Sequence, residues 1–223
     1  MQKIGSGQGF WTLLSRGEQE ALTTLGQIRV FPPGETMCSE GEPTTYVFIL
    51  VTGWVKVFAV TSDGRELMLA LRGQGDIVGE IAGATTGHRN ATVKAVDTVR
   101  ALLVRYDRFG SFLDSHPGAA RAYGQVMTLR WNDAATTLRS RALTTGGQRL
   151  ALLLLELTDR YGSVANGTMP LSQEELAGLA GTSRSTVTRA FGNWRRRRLI
   201  RTAPRRITVI DLEALRRVAG RQS

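Results

Sequence analysis

Between Gln27 and Arg105 apolar residues recur at every second position. Val47/Ile49/Val51, Val55/Val57/Ala59, Leu67/Leu69/Leu71 and Val99/Ala101/Leu103 alternate as half-buried strands do. Turn signals punctuate them at Pro33-Gly34, Glu40-Gly41, Thr52-Gly53, Ser62-Asp63-Gly64 and Gly73-Gln74-Gly75-Asp76. Short strands at this spacing predict an all-β roll, barrel or sandwich. On either side the period lengthens to that of a helix. Ser15-Arg16-Gly17-Glu18 has the spacing of a capping box, with Leu22 and Leu25 behind it, so a first helical region ends near Leu25. Pro117-Gly118 opens a longer stretch to about Leu143, whose apolar Met127, Trp131, Ala134, Leu138 and Ala142 step by four, three, four and four. A helix of about 25 residues is nearly 40 Å long, more than one small roll covers. The narrow stripe therefore predicts a dimerisation helix with Met127, Trp131, Ala134 and Leu138 in the seam; the alternative is a helix packed on its own domain.

Thr144-Thr145-Gly146-Gly147 breaks that helix and marks a domain boundary. Leu150, Leu153, Leu154 and Leu157 give the next helix an inner face as far as Tyr161-Gly162, and the loop Ser163–Gly167 follows. Ser172-Gln173-Glu174-Glu175 is a second capping box, opening a short helix with Leu176 and Leu179 inside. Ala180-Gly181-Thr182 makes a tight turn, and Ser183 caps a helix with Val187 and Phe191 inward and Arg184, Ser185, Thr188 and Arg189 outward. Two short helices joined by a glycine turn predict a helix-turn-helix, whose second helix enters the major groove by its N-terminal end. Arg184 and Arg189 each carry a donor fork that fits guanine O6 and N7, while Ser183 and Thr186 stand where a helix N-terminus holds phosphate. Arg195–Arg198 end the helix; four consecutive residues point around it, so they cannot all face DNA. Leu199–Thr202 and Ile207–Ile210 flank Ala203-Pro204-Arg205-Arg206 as a hairpin wing with a basic tip, and Asp211 caps a last short helix.

Charge agrees with this layout. The formal net charge is +10, and Gly147–Ser223, with 14 arginines and 6 acidic residues, carries +8 of it. A basic C-terminal third on a near-neutral body is the electrostatic footprint of a nucleic-acid-binding module. Apolar residues make up 42% of the 223, as in a folded protein. The longest near-apolar runs, Tyr46–Val51 and Leu150–Leu155, are far short of the roughly 20 residues of a bilayer span, and the N-terminus lacks the pattern of a signal peptide, so a cytoplasmic protein without membrane contact is expected. The single cysteine, Cys38, excludes an internal disulfide, a multi-thiolate zinc site and a self-contained iron–sulfur cluster. His88 and His116, read as ordinary surface residues, leave no haem ligand, and no metal site is expected. Walker, HExxH and GxSxG motifs are absent, so no catalytic residues are assigned and an enzyme is not expected.

The order β-roll, long helix, winged helix-turn-helix resembles the CRP/FNR family of bacterial transcription regulators over essentially the whole chain. The resemblance is carried by Pro33–Glu35, Glu40–Pro43, Val51–Val57, Gly73–Ala82 (GQGDIVGEIA), Arg89–Val93 (RNATV) and Leu171–Phe191. It implies an α+β protein with a cyclic-nucleotide-binding-type β-roll over residues 1–116, a dimerisation helix and hinge over 117–146 and a winged helix-turn-helix over 147–223. It further implies that Gly79, Glu80 and Ile81 hold a ribose, and that Arg89 with Asn90 pairs with a cyclic phosphate; a surface Glu80–Arg89 pair is the alternative. The family's cyclic-AMP binders use Ser or Thr where this chain has Asn90, and their adenine contacts fall on Ala134-Ala135 here. The resemblance thus implies a homodimeric regulator of near-palindromic double-stranded DNA, contacted through Ser183, Arg184, Ser185, Thr186, Thr188 and Arg189, with a cyclic nucleotide, cyclic AMP by family, as effector and RNA polymerase as a further partner. Two alternatives stand beside it: a regulator with a vestigial pocket and no small ligand, and a nucleotide-sensing subunit of another protein.

Overall fold

The computed structural model describes residues 9–64, 66–81, 87–161 and 168–220, with the side chains of 137–142 left aside. In chain order the elements are α1 (Phe10–Leu13), α2 (Arg16–Thr24), β1 (Gly26–Phe31), β2 (Thr36–Cys38), β3 (Tyr46–Thr52), β4 (Val55–Val60), β5 (Glu66–Arg72), β6 (Ile77–Val78), β7 (Thr92–Ala95), β8 (Val99–Arg105), α3 (Tyr106–Ser115) and α4 (Pro117–Leu143). After these come α5 (Gly146–Tyr161), β9 (Thr168–Met169), α6 (Gln173–Leu179), α7 (Arg184–Arg196), β10 (Ile200–Ala203), β11 (Arg206–Val209) and α8 (Leu212–Val218). The chain forms two compact units, one ending at Trp131 and the other beginning at Asn132, so the division falls within α4.

In the first unit two four-stranded antiparallel sheets, ordered β1-β8-β3-β6 and β2-β7-β4-β5, enclose Phe31, Phe48, Leu50, Val55, Val93, Val99 and Ala101. The outer face of the first sheet is covered too. Val47, Ile49, Leu102 and Val104 pack beneath Phe10, Leu22, Phe109, Phe112, Ala119, Ala122 and Val126 of the helices. β3 is therefore buried on both faces, where alternation of Val47, Ile49 and Val51 predicts a half-buried strand; Phe48 and Leu50 fill the other core. β5 also departs from its pattern. Leu67 and Leu69 are exposed and Met68 and Leu71 buried, because the register slips between Val57 and Phe58, pairing Val57 with Ala70 and Phe58 with Met68. The extra residue inverts the phase of the alternation.

Local signals set the helix boundaries. Ser15 accepts from the Glu18 amide (3.3 Å) and the Glu18 carboxylate from the Ser15 amide (2.7 Å), the reciprocal capping of α2. The N-terminal half of α4 uses Ala119, Ala122 and Val126 against the sheet, a stripe ahead of the one that begins at Met127. Met127 is half-buried against the same core, Trp131 is 77% exposed and Ala134 is exposed; the Leu138 side chain lies outside those described. His88 is exposed, as expected, but His116 is not a plain surface residue: its ring stacks on Phe112 at 4.5 Å.

The second unit packs α5 against α6, α7 and α8 beside a three-stranded sheet, β10-β11-β9. Leu150, Leu154 and Leu157 are buried as their spacing requires, Leu153 is half-buried, and Ala151 and Leu155 widen the face. Among the described residues no helix is long and apolar enough to cross a membrane.

Candidate nucleotide pocket and nucleic-acid interface

In the first unit β6 is followed by Gly79, whose φ of 81° favours glycine. A Cβ there would stand 2.3 Å from Arg89 Nη1, so the position is doubly restricted. Arg89 reaches this point because residues 87–89 are held by the Glu40–Pro43 turn: the Arg89 amide donates to Glu42 O and the Gly41 amide to Arg89 O, both at 2.8 Å. The Arg89 side chain is buried. Its Nη1 donates to Gly79 O (2.7 Å) and its Nη2 to Tyr46 O (2.6 Å), and the guanidinium lies 5.4 Å from the Phe48 ring centre. Nε has no hydrogen-bond partner among the described residues. A buried cation satisfied only by carbonyl dipoles and left with an unmatched donor is costly. It is complementary to an anion.

Glu80 is buried as well. Its carboxylate pairs with Arg130 of α4, and Arg130 also donates to Ile77 O at 2.6 Å. The expected alternative, a surface Glu80–Arg89 pair, gives way to a buried pair with a residue fifty positions away. Sequence reasoning missed Arg130, since nothing local distinguishes it from the other arginines of α4. Burial first, and then the Glu80 carboxylate, push the Tyr123 phenol up to about 12, so that ring stays neutral. Ile81 and Asn90 are exposed at the margins of the segment between them, whose residues 82–86 lie outside those described.

In the second unit α6 is capped reciprocally, Glu175 N to Ser172 Oγ at 3.1 Å and Ser172 N to Glu175 Oε2 at 2.8 Å. Gly181 takes φ 57° in the turn. Arg149 of α5 braces that turn, donating from Nε to Ala180 O and from Nη2 to Gly181 O, both at 2.9 Å. This residue too escaped the sequence reading, because its partners lie more than thirty positions away. α7 buries Val187, Phe191 and Trp194 and leaves Ser183, Arg184, Ser185, Thr188 and Arg189 exposed on one side. Thr186 is half-buried. The hydroxyls gather at the N-cap: Ser183 Oγ lies 2.9 Å from Ser185 Oγ and 3.0 Å from Thr186 Oγ1, and accepts from the Thr186 amide. Thr188 donates to Gln173 Oε1 (2.8 Å), fixing α7 to the first turn of α6. Glu174 stands 3.9 Å from Arg184, an exposed pair of little energetic weight.

The wing, β10 and β11, turns at Pro204-Arg205, with Arg205 at φ 48°. Its guanidinium donates to both carboxylate oxygens of Glu175 at 3.2 Å. The acid that caps α6 thus also anchors the wing tip.

Residues 28–116 match the cyclic nucleotide-binding domain, and residues 148–218 match the Crp-like helix-turn-helix domain. The chain is 32% identical over 203 residues to the CRP-like cAMP-activated global transcriptional regulator of Mycobacterium tuberculosis, covering 89% of this chain and 91% of that one. It is 28% identical over 209 residues to the cyclic AMP receptor protein of Thermus thermophilus, covering 92% and 94%. Among solved structures, FixK2 from Bradyrhizobium japonicum shares the fold with a TM-score of 0.76 at 22% identity, covering 89% of this chain and 99% of that one. With a β-roll that matches the cyclic nucleotide-binding domain ahead of a Crp-like winged helix-turn-helix, and 32% identity to such a relative over 89% of this chain and 91% of that one, the chain belongs to the CRP/FNR family of DNA-binding bacterial transcription regulators.

Proposed function

We propose that this regulator acts in the cytoplasm as a homodimer on near-palindromic DNA, with a cyclic nucleotide in the β-roll as its effector and RNA polymerase as a further partner. The observation that carries the effector reading is Arg89: buried, held by the carbonyls of Gly79 and Tyr46, and with Nε unpartnered among the described residues. A cyclic phosphate is the kind of single buried negative charge that such a guanidinium accepts. Glu80, next to Gly79 in the chain, supplies the carboxylate acceptor for a ribose hydroxyl, with its Oε1 shared with Arg130. Gly79, Ile81 and Asn90 complete the proposed site. Cyclic AMP is the first candidate, because the Mycobacterium tuberculosis and Thermus thermophilus relatives are named for it.

On the DNA side, Arg184 and Arg189 read guanines, Ser185 faces a third base position, and Ser183, Thr186 and Thr188 serve phosphate and helix placement. A second reading, a regulator that binds DNA without a small ligand, draws on the engagement of Glu80 by Arg130, which already satisfies that carboxylate. Calorimetry with cyclic AMP, cyclic GMP and cyclic di-GMP separates the two. Binding of one of them, lost by more than a hundredfold in Arg89→Ala, supports the pocket, because stripping one member from a buried charge pair costs roughly 3–5 kcal/mol. Silence with all three favours the second reading.

A further inference from the structure

The run Arg195–Arg198 is exposed throughout, yet its members have different destinations. Arg195 donates from Nη1 to Thr202 Oγ1 on the wing (3.4 Å). Arg197 is the C-cap of α7, and Arg198 follows at φ 55°, letting the Leu199 amide reach back to Trp194 O at 2.8 Å. Arg196 is placed otherwise. At 3.6 residues per turn, Ser185, Arg189, Gly192 and Arg196 fall within an arc of about 60° on α7. Arg196 is therefore in line with the residues that face bases.

Gly192 is the gap in that line. Glycine inside a helix weakens it relative to alanine, and nothing in the fold of this unit requires one here. Its φ is not positive, and a Cβ would meet only Arg196 Nη1, at an ordinary 3.9 Å. The Arg196 guanidinium thus lies back over the bare helix at Gly192. Among the described residues no carboxylate pairs with Arg196, whereas Arg184, Arg205 and Arg216 each have one.

We propose that Gly192 and Arg196 form a seat for one DNA phosphate at the rim of the major groove. The inference rests on the reading that Arg184 and Arg189 face bases. From Arg189 to Arg196 the helix advances about 10 Å, slightly more than the roughly 8.5 Å depth of the groove. A helix that enters by its N-terminal end therefore meets the flanking backbone at its last turn. The absent side chain at Gly192 lets the sugar–phosphate approach, and the Arg196 fork donates to its oxygens.

The test is a titration of the full-length protein against a duplex recovered by selection from random DNA and against a scrambled duplex, over a range of salt. Arg196→Gln should weaken both roughly fivefold at 0.15 M salt and lower the slope of log K against log[salt] by about 0.9, leaving base preference intact. Arg197→Gln, which points about 100° away, should leave the slope unchanged. Gly192→Ala should raise the thermal midpoint yet weaken binding to both duplexes; wild-type affinity in this variant overturns the part of Gly192 in the seat. An Arg196→Gln protein with the wild-type slope, while Arg189→Ala still flattens a guanine position, overturns the seat alone. Equal losses in the Arg196 and Arg197 variants also overturn it. If Arg189→Ala leaves base preference untouched, the assignment of this face to DNA fails, and the seat with it.

Discussion

Arg130 and Glu80 form a buried ion pair that joins α4 to the segment after β6, with 13% and 2% of their side chains exposed. Two such charges are stable out of water only together, since removing one strands the other. Arg130→Met should therefore destabilise the first unit by roughly 3 kcal/mol, and adding Glu80→Gln should recover most of that loss. Urea unfolding followed by tryptophan fluorescence in a Trp194→Phe background, which confines the signal to the first unit, gives the numbers; additive single and double losses would show that the two residues act separately.

The pair also shows what a linear reading can reach. Features written in four consecutive residues were legible: both reciprocal capping boxes, Ser15 with Glu18 and Ser172 with Glu175, and the left-handed Gly181 formed as their spacing implied. The outward face of α7 followed from the inward Val187 and Phe191. What failed depended on distant partners. The phase of β5 inverted because a bulge opposite Val57/Phe58 adds a residue, and no turn signal marks it. β3 is covered on its second face by helices whose own apolar residues are spread from Phe10 to Val126. Arg130 and Arg149 are ordinary arginines in the sequence, and only the fold brings them to Glu80 and to the turn at Ala180-Gly181.

Glu175 gives the winged domain an acid-sensitive element. Burial acts to raise its carboxyl, but the Ser172 amide and hydroxyl and the Arg205 guanidinium outweigh it and hold the group below the usual carboxylate range. A group with a lowered folded value contributes stability that is complete above the unfolded value, near 4.3, and is lost as pH falls through the folded one. Glu175→Gln keeps an acceptor for the cap and removes the charge. It should cost about 0.5–1 kcal/mol at pH 7, with the difference from wild type shrinking in denaturant melts as pH falls below the unfolded value and vanishing below the folded one. A gap that persists at acid pH would assign the loss to packing rather than to charge.

The proposed dimer depends on Trp131, which leaves 77% of its surface uncovered in a single chain. A large aromatic so exposed on a helix is a candidate interface anchor. Trp131→Glu should put charge into the seam and shift the protein to monomer in sedimentation at micromolar concentration. It should also weaken binding to a two-half-site duplex with centres about 10–11 base pairs apart more than to a single half-site. A mutant still dimeric under those conditions would move the interface away from Met127, Trp131 and Ala134.

Base readout turns on Ser185, between the two arginines that carry donor forks. Its hydroxyl lies 2.9 Å from Ser183 Oγ, so reading a base costs it a local hydrogen bond. The residue is also short and uncharged, and it both donates and accepts, so it discriminates weakly among base edges. Arg184 and Arg189 remain exposed, and each bidentate guanine contact is worth about 1–3 kcal/mol of discrimination. The expected half-site has two strong guanine positions and one relaxed position governed by DNA shape. Arg189→Ala should flatten one guanine. Ser185→Glu should sharpen the relaxed position toward a C·G pair, because a carboxylate accepts from the cytosine amino group. If Ser185 instead faces only phosphate, the same substitution repels the backbone and weakens every sequence alike. Selection from random DNA with the Ser185→Glu protein decides between them: a sharpened position supports base contact, and uniform weakening with an unchanged profile assigns Ser185 to the backbone.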